Sequence, residues 1–170
     1  MKKNPIMGPR VLAEMGLYVG LYIVLTYLFS FTAFTRITFN FVVLLVCGIR
    51  LGPYPTMLVG LVSDIVGGLI FQAGVFHFGL TLNAVLSGFL YGALFYQQFS
   101  MSKFGLYILL EEIGVHLLLQ SFWLKDIFGL SFGATILTRL PGFLIMMVIK
   151  IVFILALAKS TWYKRIANLQ

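Results

Sequence analysis

Apolar positions in this chain come in long runs, with charged residues at their edges rather than scattered through them. Runs at 11–34, 37–49, 51–71, 75–97, 104–124 and 139–159 predict six helices, because a spanning helix needs about 20 mostly apolar residues. The second run, between Arg36 and Arg50, is short for a span. It is retained because five spans would put the two most basic ends on opposite faces. Arg36 and Arg50 can also snorkel outward from a short or tilted helix.

Charge orients the six runs. With the N-terminus inside, Lys2, Lys3, Arg10, Arg50, Lys103, Lys159, Lys164 and Arg165 fall on the cytoplasmic side, and Arg36, Lys125 and Arg139 fall outside. That asymmetry follows the positive-inside rule. Lys150 lies within the last run and is expected to reach toward the headgroups. The expectation is an all-α integral membrane protein of one domain, 1–170, with six transmembrane helices in a compact bundle and both termini cytoplasmic. The run after the first basic residues is too long for a signal-peptide core and lacks a small-residue cleavage pattern, so no removable leader is expected.

The polar residues inside the runs then acquire a depth. Asn40 and Arg36 lie at the outer end of the second run, Gln72 ends the third, and His77, Thr81 and Asn83 open the fourth. Glu112, His116, Gln120 and Trp123 follow one another at steps of 4, 4 and 3, which in an α-helix keeps them on one face. Arg139 opens the sixth run. Intramembrane polar groups are costly and often mark a substrate path. A set confined to the outer half predicts a solute pocket open to the outside, walled by Phe76, Phe78 and Trp123; a channel would need polar groups through the full depth.

Each of these residues also has a plain structural reading. His77, Gln72, Arg36 and Arg139 could be interfacial, Asn83 could join two helices, and His116 and Gln120 could satisfy each other. Asp64, alone at mid-run, could tie its helix to a neighbour, rim the pocket or serve as an ion-coupling acid. Glu14 reads as interfacial.

Composition narrows the class further. The chain has 170 residues, 61% hydrophobic and 10% charged, with a mean hydropathy of +1.03, far from a soluble domain, in which about a quarter of residues are charged. The surplus of 12 Lys and Arg over 5 Asp and Glu is spread among loops, so no nucleic-acid face is expected. The lone cysteine, Cys47, reads as a packing residue. No phosphate-cradling loop, zinc motif or clustered carboxylates are present, so neither ATP nor a metal is expected on this chain. Ser63 and Ser87 lack a nucleophile-elbow context. Without an internal repeat of the transporter kind, uphill movement of a solute would draw its energy from a partner. Gly16 and Gly20, with Ala13 adjoining, form a small-residue face on the first helix that permits close approach of another helix, either within the bundle or from a separate membrane protein.

The stretches "RITFNFVVLLVCGIRLGPYPTMLVGLVSDIVGGLIF" and "GVFHFGLTLNAVLSGFLYG", with weaker likeness in "VHLLLQSFW" and "RLPGFL", resemble the substrate-binding S component of energy-coupling factor (ECF) vitamin transporters, particularly its folate family. The resemblance covers roughly residues 33 to 150. It rests on Arg36-x-x-Phe39, Gly52-Pro53, Gly60, Asp64, Gly67, Gly74, Gly79-x-Thr81-Leu82, Ala84, Gly88 and Tyr91-Gly92. It implies six helices and an outward vitamin pocket in a bacterial cell membrane. It also implies association with a membrane scaffold, the T component, and two ATPase subunits that bind ATP and Mg and whose hydrolysis tips the subunit inward. By position, Ala13, Gly16 and Gly20 would contact the scaffold, with glycines in place of the usual Ala-x-x-x-Ala.

The family usually has Tyr-Phe-Pro-Gly-Phe-Thr-Leu where this chain has Phe76 to Leu82, and asparagines near His116 and Gln120. Besides folate, these departures keep pantothenate open, and after it a pyridoxine-like or hydroxymethylpyrimidine vitamin. The expected substrate residues are Arg36, Asn40, Gln72, His77, Asn83, His116, Gln120, Trp123 and Arg139. The arginines would pair with an anion, the amides and imidazoles would hydrogen-bond, and Trp123 would stack. Two rivals remain: a secondary transporter using Asp64 or Glu112 as its coupling acid, and a small membrane enzyme using Ser63 or Ser87.

Overall fold

A computed structural model describes residues 8–27, 39–71, 77–97 and 100–159. Every regular element among them is helical: α1 (Pro9–Tyr27), α2 (Asn40–Leu51), α3 (Pro53–Phe71), α4 (Phe78–Phe95), α5 (Met101–Tyr107), a π-helical segment (Ile108–Leu119), α6 (Gln120–Phe128) and α7 (Phe132–Lys159). The π segment joins α5 to α6 without a break, so 101–128 forms one rod. Five stretches are long and apolar enough to cross a membrane: Pro9–Thr26, Pro53–Phe71, Phe78–Phe95, Ser102–Phe128 and Phe132–Lys159. The shorter α2 is the sixth apolar helix.

Local chemistry sets the boundaries. Pro9 and Pro53 occupy first-turn positions, where proline's missing N–H is no loss. Between α2 and α3 stands Gly52 alone, at φ +85°, a left-handed backbone that reverses the chain within one residue. Gly129 ends α6 at φ +65°, and the N–H of Leu130 returns to Lys125 C=O at 3.1 Å. After it, Ser131 Oγ accepts from the N–H of Ala134 at 3.4 Å and starts α7.

The sixth helix therefore begins seven residues before the expected start at Arg139. The charged side chain had read as a border, whereas the capping serine and the apolar residues that follow it carry the helix back to 132. Arg139 consequently sits about two turns inside the helix. Lys125 likewise lies within α6, paired with Asp126 at 2.8 Å and set over the Phe122 ring at 4.7 Å.

Glycines bring α2, α3 and α4 into close contact. A Cβ at Gly60 would lie 2.5 Å from Ala84 O, one at Gly88 the same distance from Thr56 O, and one at Gly48 within 2.8 Å of the Tyr91 carbonyl carbon. No side chain fits there, so the backbones themselves touch. Around this contact lies the core: Phe41, Leu45, Ile49, Val59, Tyr91, Phe95, Tyr107 and Ile154, with Tyr18 and Tyr22 from α1. Cys47 is fully buried, and its sulfur accepts from Thr56 Oγ1 at 3.3 Å. Glu14 pairs with Arg50 at 2.9 Å and fastens α1 to α2.

Lys150 departs from expectation. It does not reach outward but is 4% exposed and ion-paired to Glu112 at 2.9 Å. A neighbour of opposite charge inside the bundle removes any need to snorkel.

Candidate functional site

Two of the expected site residues, Arg36 and Gln72, fall outside the described residues. Asn40 opens α2 and is half-buried. The other six lie on α4, the π segment, α6 and α7.

His77 caps α4. Its backbone is extended, φ −134° and ψ 120°, and its Nδ1 accepts from the N–H of Gly79 at 3.0 Å. With Nδ1 accepting, the proton of the neutral ring sits on Nε2, the nitrogen left for other contacts. The imidazole faces the Trp123 indole, ring centroids 5.6 Å apart. Gly79 makes this approach possible, because a Cβ there would fall inside the indole. Phe122 meets Trp123 edge-on at 5.2 Å. The start of α4 and the middle of α6 thus form one aromatic wall, and within it the buried Trp123 Nε1 has no hydrogen-bond partner.

Asn83, a turn and a half further along α4, is 6% exposed, and both Nδ2 and Oδ1 lack a partner. A buried amide with nothing to bond carries a desolvation cost on both atoms. It is not the joint between helices that one reading of the sequence offered. Asp64 does make such a joint: its Oδ2 accepts from Thr81 Oγ1 at 2.7 Å and ties α3 to α4.

His116 and Gln120 meet, Nδ1 to Oε1, at 3.2 Å. Of the expected face at steps of four, His116 and Gln120 are bonded, while Glu112 makes its hydrogen bonds elsewhere. Along the π segment the backbone bonds run i→i+5, as from the N–H of Gln120 to Val115 O, and this wider turn brings residues five apart near enough to meet as well as those four apart. Glu112 therefore turns to Tyr107 and Lys150. Glu111, which the sequence did not single out, lies with Oε1 at 3.2 Å from His116 Nε2. That contact is near enough for an ion pair with a charged imidazole, though neither Glu111 oxygen makes a well-directed hydrogen bond. Spacings of five between Tyr107 and Glu112 and between Glu111 and His116 were the available signal, legible only to a reader expecting the wider winding.

Arg139 is half-buried and donates from Nη1 to Ser121 Oγ at 2.7 Å. No carboxylate lies within ion-pair distance of it among the described residues. Ser121, fully buried, is a second residue the sequence reading missed. The structure thus joins His77 to Trp123, His116 to Gln120, and Arg139 to the residue after Gln120, while Asn83 bonds to none of them. A groove of about 370 Å³, lined by Gly114, Leu118, Leu119, Phe122 and Phe132, shares Phe122 with the aromatic wall but offers no polar side chain.

Of the serines weighed as nucleophiles, Ser63 is sealed, and its Oγ has no partner and hence no base beside it. On α1, Ala13, Gly16 and Gly20 are exposed, opposite the buried Tyr18 and Tyr22, and nothing lies within 4 Å of a Cβ built at either glycine.

No protein-family model matches the chain. A curated relative, "Folate transporter FolT" of Clostridium novyi (strain NT), is 31% identical over 133 residues, which cover 77% of this chain and 77% of the relative. A second with the same description, from Leuconostoc mesenteroides subsp. mesenteroides, is 27% identical over 126 residues, covering 71% and 66%. Among solved structures, one described as "Crystal structure of FolT bound with folic acid" superposes with a TM-score of 0.77 at 30% identity, over 85% of this chain and 90% of that one.

Proposed function

The chain belongs to the FolT family of ECF S components, and from that premise we propose that it is the folate-binding subunit of an ECF importer. It takes a folate-type vitamin from outside the cell and releases it inward when partner ATPases hydrolyse ATP. In this reading the single domain crosses a bacterial cell membrane six times, α2 included, with both termini inside. The T component docks on Ala13, Gly16 and Gly20, and ATP and Mg belong to the two ATPase subunits. The chain itself is a binding protein, not an enzyme.

The observation that carries the reading is the set of unanswered polar groups, both amide atoms of Asn83 and the indole N–H of Trp123, buried without partners among the described residues. A protein that leaves donors and acceptors unmet inside its own bundle gains most from a ligand that supplies them. The pterin ring of folic acid presents such groups along its edge and a flat face for Trp123 and His77 to stack on. Its glutamate carboxylates are the counterpart that Arg139 lacks among the described residues. Arg36, Asn40, Gln72, His116 and Gln120 complete the proposed contacts. Pantothenate has a carboxylate but no ring, and would leave the aromatic wall unused.

Ion-coupled transport by this chain alone fits less well. Asp64 is bonded to Thr81 and Glu112 to Lys150, so the two acids considered for coupling are already engaged.

The test is native mass spectrometry and calorimetry on the purified full chain. The expected result is one folic acid per protein, with Kd below about 1 μM and no uptake by vesicles lacking the ATPases. Neither a bound mass nor heat with folic acid, or accumulation driven by an ion gradient alone, would overturn it.

A further inference from the structure

Between Arg139 and Lys159, Lys150 is the one charged residue of α7. Its ammonium is 2.9 Å from Glu112 Oε1 and 5.9 Å from the centroid of the Phe41 ring. The same carboxylate oxygen accepts from Tyr107 OH at 2.6 Å, and Tyr107 OH lies 3.0 Å from Tyr91 OH. Side chains from α2, α4, α5, the π segment and α7 thus converge on a single buried charge pair. No ligand contact is assigned to any of them.

The pair sits at a particular place in the winding. In an α-helix, a residue five positions on points about 140° away, so Tyr107 could not bond Glu112, nor Glu111 approach His116. Both contacts exist because 108–119 is wound as a π-helix. Such winding is uncommon and mostly limited to single turns, yet here it runs for 12 residues with no proline to impose it. It needs a tie from outside the rod, and the Glu112–Lys150 pair is one. With Glu112 held toward α7, Glu111 is turned toward His116, whose other ring nitrogen meets Gln120.

We propose that Lys150 is a positioning residue for ligand capture: through Glu112 it holds the wide winding of 108–119 and so sets the angle at which His116 and Gln120 meet the vitamin. The proposal rests on the reading that those two side chains line the site. An uncharged pair at 112 and 150 would let the segment relax toward α winding, rotating His116 away from its present direction while leaving the bundle packed.

The experiment is titration of folic acid into the full chain in lipid nanodiscs, with thermal melting of each variant. Lys150→Met alone strands a buried carboxylate and can fail to fold, so the informative variant is Glu112→Gln/Lys150→Met. It is expected to melt within about 3 °C of wild type yet bind folic acid at least about tenfold more weakly. Adding His116→Ala to it should cost clearly less, by at least about threefold in affinity, than His116→Ala costs in wild type, since residues acting through one another are not additive. Folic acid bound within about twofold of wild type by the neutral pair, or losses that multiply with His116→Ala, would overturn the proposal and leave the folate reading standing. Absence of folic acid binding to wild type would overturn both.

Discussion

Arg139→Ala should weaken folic acid binding about a hundredfold. The guanidinium is half-buried two turns inside α7, donates only to a serine, and faces no carboxylate among the described residues. Truncating one partner of a buried, hydrogen-bonded charge pair costs about 2–5 kcal/mol, and each 1.4 kcal/mol is about a factor of ten in affinity. Some water access in an open site puts the expectation toward the lower end. The sign of the stability change separates binding from folding. Removing a partly desolvated charge with no counterion should leave the melting temperature of the ligand-free protein unchanged or raise it. Loss of affinity with an unharmed fold is the expected pair of results by calorimetry and thermal melting. Affinity retained within about threefold would remove Arg139 from the site.

Gly16→Leu should leave folic acid binding within about twofold and abolish uptake. Gly16 and Gly20 lie on the face of α1 opposite the core, and a Cβ added at either meets nothing within 4 Å among the described residues. The glycines between α2, α3 and α4 are different: at Gly48, Gly60, Gly88 and Gly92 an added Cβ would meet backbone at 2.3–2.8 Å. Small residues that no neighbour within the protein requires are suited to a helix arriving from elsewhere, since helices in lipid associate through close backbone approach rather than hydrophobic burial. Affinity capture of the tagged chain should lose the scaffold and both ATPases in the Gly16→Leu variant. Uptake and capture that both survive would move the docking face elsewhere.

Much of the architecture was readable from hydrophobic run lengths alone, because a bilayer imposes a length that water does not. The short α2 was too brief for that rule and was kept on charge, because five spans would have put the two most basic ends on opposite faces. The reading went astray where Arg139 was taken for a border and where Lys150, placed within the last run, was expected to reach toward the headgroups. Arg139 and Lys150 both lie inside α7, and what allows this is tertiary: Ser121 on another helix for one and Glu112 for the other. In the site, His77 beside Trp123 and His116 beside Gln120 emerge where the polar spacing suggested polar chemistry. What the spacing could not show was that Glu112 bonds Tyr107 and Lys150, and that Glu111 meets His116, because the sequence reading assumed α winding throughout. Asn83 was visible as a polar residue in an apolar run, but whether its amide was satisfied depended on which helices lay against α4.

The sealed position of Cys47, 0% exposed beneath Thr56, makes the native chain a ready host for site-directed probes. Its one sulfhydryl is out of a maleimide's reach while the bundle stays folded, so a nitroxide or fluorophore on a cysteine introduced in α1 or α7 would report its own location without background. Whether the subunit tilts in the proposed import cycle could then be followed as a changing depth in the bilayer, in a protein that keeps its natural core.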